Sequence, residues 1–236
     1  MRILLCTLVL SLIAASSPST RPTTQPAPTS DYDRLSIEGW PIYLKHQLAA
    51  DHPKLAADVQ ELLRVRLIEM RRALPAPALE TLQKIPIWIE ANDRGFPGMC
   101  YHPSKDWLRE NGYNPDKAKC VEIGNAEHFL SWSKEQPMMV LHEFAHAYHH
   151  QVLGYDYEPI RSAFEQARVG KLYEKVLRIN GRYERAYAMN NDQEYFAESS
   201  EAFFGTNDFY PFVRAELIEH DPTMAKVVRE AWGADR

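Results

Sequence analysis

Cysteine is nearly absent. The chain of 236 residues has three, and Cys6 lies in the first apolar run, so only Cys100 and Cys120 belong to the body of the protein. A disulfide-dense scaffold is excluded, and neither cysteine has a partner at the spacing of a cysteine-ligated zinc site. Positive charge is also in short supply: 27 Lys and Arg stand against 32 Asp and Glu, for a formal net charge of −5. Two of those basic residues, Arg2 and Arg21, precede the first acidic one, Asp31, so the remainder is more acidic still. Nothing here forms the basic stripe that neutralises phosphates, which sets nucleic acid aside as a partner. No internal repeat is visible. After residue 15 no apolar run approaches the roughly 20 residues of a bilayer span, so the body of the chain has no membrane partner.

What is present begins with a leader. Residues 1–15, MRILLCTLVLSLIAA, pair one basic residue with a short apolar run and small residues around Ala14 to Ser17. That is the pattern of a secretory signal peptide, with the mature N-terminus expected between Ala15 and Pro18. The expected location is secreted or periplasmic, with tethering if the leader is retained. In that compartment Cys100 and Cys120 form an even pair, and a disulfide between them is expected. Residues 16–30, SSPSTRPTTQPAPTS, are almost wholly Ser, Thr, Pro, Ala and Gln and read as a disordered tether.

A single domain over residues 31–236 follows. Leu55, Val59, Leu62, Leu63, Leu67 and Met70 recur at helical spacing before Pro75, which predicts a core helix. "IPIWIE" (85–90), "GMCYHP" and "AKCVEIGNAEHF" predict short strands, with the turn-rich "NGYNPDK" between the last two. From Pro137 the chain reads as helical, with helices over residues 159–177, 192–204 and 222–232. The fold class is α+β: a small mixed sheet packed on a mainly helical lobe.

Within "MVLHEFAHAYHH", residues 139–150, four histidines and a glutamate interrupt an apolar helix. Residues four apart share a helix face, so His142 and His146 present two imidazoles at the separation one Zn²⁺ can bridge. Glu143 adjoins the first of them and can take a proton from a water without being a ligand. His149 and His150 are read as rim or surface histidines, not ligands. A catalytic zinc wants a third protein ligand. The metzincin pattern would need glycine at 149 and histidine at 152, where this chain has His149 and Val152. The alternative is a glutamate on a later helix, and "NDQEYFAESSEAFF" offers Glu194 and Glu198, four apart on an apolar run. One would meet the metal, and the other the second N–H of a ligand histidine. Glu158, Glu165 and Glu184 are rivals without such a setting.

"HEFAH", followed 48 positions after His146 by Glu194 within "EYFAE", resembles the gluzincin clan of zinc peptidases, most closely the C-terminal peptidase domain of the anthrax lethal factor family. That family has a tyrosine seven positions before the ligand glutamate, where this chain has Tyr187. The resemblance spans about a third of the chain, roughly residues 137–204. It implies a zincin-like fold with one Zn²⁺ on His142, His146 and Glu194, and Glu143 as base. It further implies Tyr187 as oxyanion donor and Glu198 as the carboxylate behind a ligand histidine. The expected activity is a zinc metallopeptidase (a hydrolase) acting on a peptide or protein, with "CVEIG" lining the cleft. A zinc-containing cell-envelope binding protein without turnover, and a hydrolase of a non-peptide amide, remain as alternatives.

Overall fold

The computed structural model describes residues 26–92, 96 and 98–234. The stretch expected to be a signal peptide and most of the expected tether lie outside the described residues. Residues 26–30 do not: Thr29–Asp31 form a 3-10 turn, Thr29 donates to Asp116 Oδ2 at 2.6 Å, and Asn114 Nδ2 donates to the Ala27 carbonyl at 3.0 Å. Part of the stretch expected to be a tether is therefore docked, its short polar residues finding partners on the loop that holds Asn114 and Asp116.

The sheet opens with a hairpin of β1 (Tyr32–Ile37) and β2 (Trp40–Lys45), turned by Glu38 and Gly39, both at positive φ. Three helices follow: α1 (His46–Asp51), α2 (Pro53–Ala73) and α3 (Ala76–Leu82). Pro53 opens α2, and Leu74, extended before Pro75, closes it. Val59, Leu63, Leu67 and Met70 form its buried stripe. Then come β3 (Ile87–Ile89), β4 (Met99–Tyr101), α4 (Lys105–Glu110), β5 (Val121–Ile123) and α5 (Ala126–Trp132).

The strand order is β1-β2-β3-β5-β4, parallel at β2/β3 and β3/β5 and antiparallel at both ends. The sheet is thus mixed, with β1 and β4 as its two edges. Side chains alternate between faces. Ile42, Leu44, Ile87, Ile89, Met99, Tyr101, Val121 and Ile123 enter the main core, while Trp88 belongs to a separate cluster with Tyr32 and Cys120.

The second half is helical. It comprises α6 (Met139–Tyr148), a π-helical turn His149–Leu153, α7 (Glu158–Val169), a two-residue hairpin β6 (Val176–Leu177) and β7 (Tyr183–Glu184), and a 3-10 turn Tyr187–Asn190. The chain ends with α8 (Asp192–Phe204), α9 (Arg214–His220) and α10 (Pro222–Trp232). The single helix expected over 159–177 stops at Val169, because Gly170 and the positive-φ Lys171 break it. Gly205 ends α8 where a Cβ would lie 2.6 Å from Met138 Sδ, so its lack of a side chain lets the end of α8 approach the start of α6. Among the described residues no helix is long and apolar enough to cross a membrane.

Cys100 and Cys120 are buried and not bonded to each other, which corrects the expected disulfide. The strand register explains it: Cys100 lies opposite Glu122, so Cys120 sits two positions along the ladder. Diagonal neighbours of that kind are about 7–8 Å apart at Cα, beyond the usual reach of a disulfide.

Candidate metal centre

Two helices supply the site. α6 is buried along its whole length, from Met139 to Tyr148, and carries His142, Glu143 and His146. α8 is capped by Asn191, whose side chain accepts from the N–H groups of Gln193 and Glu194, so Glu194 stands on the first, pinned turn. α8 packs on α10 behind, where Trp232 stacks at 4.2 Å on Tyr148 of α6 and donates to Ser200 Oγ of α8 at 2.9 Å.

The structure brings His142, His146 and Glu194 together. His142 Nε2 lies 3.1 Å from His146 Nε2 and 3.1 Å from Glu194 Oε2, and His146 Nε2 lies 3.3 Å from the same oxygen. These three atoms make a nearly equilateral triangle. A proton can occupy only one edge of such a triangle at a time, whereas tetrahedral ligands about 2.0–2.1 Å from a zinc ion are about 3.3 Å from one another. The donor set, two imidazoles and one carboxylate, is that of an open zinc site with room for a fourth ligand. All three residues are buried.

Glu143 sits beside the triangle without joining it, its Oε2 accepting the backbone N–H of Tyr101 at 2.8 Å. Burial raises its carboxyl above the ordinary range, against the opposing pull of His142 and His146. Burial would also raise Glu194, but the neighbouring His146 and His142 outweigh it and hold that carboxyl well below the usual range. Tyr187 brings its hydroxyl to 3.5 Å from Glu194 Oε1.

Behind the triangle the structure departs from expectation. The carboxylate bonded to His142 Nδ1 is Glu201, at 2.7 Å, and not Glu198. Both lie on the Glu194 face of α8, four and seven residues on, but only Glu201 reaches the ring. Among the described residues Glu198 Oε2 is buried without a partner. Burial, Asp208 and Glu201 push the Glu198 carboxyl well above its normal range. Asp208 is raised to about 6 by burial and Glu201, though Arg178 pairs with it at 3.1 Å.

His149 is the other departure, being fully buried where a rim or surface residue is expected. The π-helical turn that begins at His149 accommodates an extra residue and turns this ring inward, between Tyr155 and Phe196. His150 is half-buried, accepts or donates at 2.7 Å with the Tyr101 hydroxyl, and stacks on Tyr155. The rivals for third ligand stand apart from the triangle. Glu158 and Glu165 are exposed, and Glu165 pairs with Arg168. Glu184 lies on β7 and pairs with Arg178.

The strand "CVEIG" is β5, flanked on both sides by β3 and β4, so its backbone has no free edge to line a cleft. The edge strand on this side is β4, whose Tyr101 N–H donates to Glu143 Oε2. No family model, no curated protein and no solved structure matches this chain, so the chemistry of the centre rests on its own residues.

Proposed function

We propose that the protein is a zinc metallopeptidase of gluzincin type, zincin-like in fold, and exported by its leader. The observation that carries this reading is the triangle of His142 Nε2, His146 Nε2 and Glu194 Oε2, with the unliganded carboxylate of Glu143 alongside. A zinc ion bound there would polarise a scissile carbonyl and acidify a water. Glu143, whose carboxylate is not a ligand, would accept a proton from a water beside it and return it to the leaving amine. Tyr187, half-buried over Glu194, donates its hydroxyl hydrogen to the oxygen that gains charge.

A structural zinc site has no use for a buried carboxylate in Glu143's position, which favours turnover over a binding role. The test is incubation of the purified mature protein with casein and a peptide library. Cleavage should occur, stop with a zinc chelator and return with added Zn²⁺. Zinc binding without cleavage of any peptide would remove the peptidase reading.

A further inference from the structure

Three buried ring nitrogens beside the proposed metal ligands have no hydrogen-bond partner among the described residues: His146 Nδ1, His149 Nδ1 and His149 Nε2. They are neighbours. His149 follows His146 by three positions, a separation that puts both rings on one helix face. It lies edge to face against Phe196 at 5.2 Å, two residues from Glu194, so it is wedged between the two helices that supply the ligands. As a plain core residue it makes no sense. An unsatisfied buried polar group is destabilising, and a phenylalanine between Tyr155 and Phe196 would carry none.

His146 has the complementary need. To offer Nε2 to a metal it must be neutral and carry its hydrogen on Nδ1, and that N–H requires an acceptor to fix the ring. His142 has Glu201 for this purpose, at 2.7 Å. His146 has no acceptor among the described residues.

We infer that His149 is the positioning residue for His146, accepting its Nδ1–H through one shared water molecule. The water takes the hydrogen bond from His146 and donates to a bare nitrogen of His149, satisfying two orphaned groups at once. Burial, together with His146 and His150, pushes His149 down to about 4, so near neutral pH its ring has one bare nitrogen to accept with. The inference rests on the zinc reading above.

The experiment measures zinc affinity of the metal-free protein by competition with a chromophoric chelator, for wild type, His149→Phe and His149→Gln. The visible spectrum of each Co²⁺ form is recorded as a second readout. His149→Phe should bind zinc about 10–100-fold more weakly and shift the cobalt bands, and His149→Gln, which keeps an acceptor, should recover most of both. Wild-type affinity and spectrum in His149→Phe would overturn the inference. So would equal losses in both variants with the fold intact, since that is a matter of shape alone. If His149→Phe does not fold, the glutamine variant and ¹⁵N spectra of the wild-type zinc protein decide. A His146 Nδ1–H protected from exchange supports the bridge, and one exchanging at the rate of free imidazole refutes it. Failure of the wild type to bind zinc at all would instead overturn the underlying reading.

Discussion

Glu143 and Tyr101 are joined by one hydrogen bond, the backbone N–H of Tyr101 donating to Glu143 Oε2 at 2.8 Å. Tyr101 is the last residue of the edge strand, and its hydroxyl bonds to His150 at 2.7 Å. The sheet edge thus holds the proposed base in place, and a glutamine there could still accept the same N–H. Glu143→Gln is therefore expected to keep zinc near one per chain while losing nearly all peptidase activity. Metal analysis beside a peptide assay checks this, and retained turnover would end the proposed mechanism.

The carboxylates of α8 should separate by role. Glu194→Ala removes a ligand and should lower zinc affinity by two or more orders of magnitude. Glu201→Gln weakens the support of His142 and should cost about 10–100-fold. Glu198→Gln changes a side chain that does not bond His142 and keeps its shape, so zinc affinity should stay close to wild type. Chelator competition on the three variants checks the order, and the assignment of Glu201 fails if Glu198→Gln costs more than Glu201→Gln.

Part of this arrangement is legible in the sequence, for physical reasons. α8 runs over residues 192–204 as expected because Asn191 caps it, Gly205 ends it and the run between is apolar. His142 and His146 meet because four residues are one helical turn. The choice between Glu198 and Glu201 was not legible, since both share the face of Glu194 and the crossing of α8 over α6 decides between them. A π-helical turn likewise leaves no mark in hydrophobic periodicity, so the inward turn of His149 could not be read. The β1–β2 hairpin is masked by its Glu38–Gly39 turn, which lacks the usual Asn-Gly or Asp-Gly pair.

The thiols give a simple check on the register. Cys120 is buried and its thiol is pushed up to about 11, chiefly by that burial. Neither Cys100 nor Cys120 should react with a thiol reagent near neutral pH in the native protein, and both should react on denaturation. An unreduced digest containing a Cys100–Cys120 peptide pair would contradict the fold at β4 and β5.

On the far face of the sheet Lys117 is buried between Glu90 at 2.7 Å and Glu122 at 2.5 Å, with His102 also bonded to Glu122. Burial alone would raise the Glu122 carboxyl, but Lys117 and His102 outweigh it and bring it to about 2. A carboxyl depressed on folding stabilises above its unfolded value, near 4.5, and that contribution fades as pH falls towards 2. Wild type should therefore lose stability across that window. Lys117→Met strands two buried carboxylates and should cost about 3–5 kcal/mol at pH 7. Without its cation Glu122 should be raised instead, so the variant should gain stability from pH 7 to pH 5. Urea unfolding at a series of pH values tests both slopes, and parallel curves would show that Lys117 does not control Glu122.

Tyr187 decides between the full gluzincin reading and a bare zinc site. Its hydroxyl lies 3.5 Å from Glu194 Oε1, on the side of the carboxylate that does not contact the histidines. A phenol there meets an oxygen that gains charge only as the carbonyl is attacked, so its hydrogen bond strengthens in the transition state more than in the bound substrate. Tyr187→Phe keeps the ring and removes the donor alone. Turnover should fall on the order of 10²-fold, with KM and zinc content little changed. Tyr183 is the natural control, since it sits on β7 with 64% of its surface exposed and has no place in the site. Tyr183→Phe should leave kcat unaltered. Steady-state kinetics on a cleaved peptide would separate the two, and a normal kcat in Tyr187→Phe would leave the zinc ligands standing while withdrawing the oxyanion role from Tyr187.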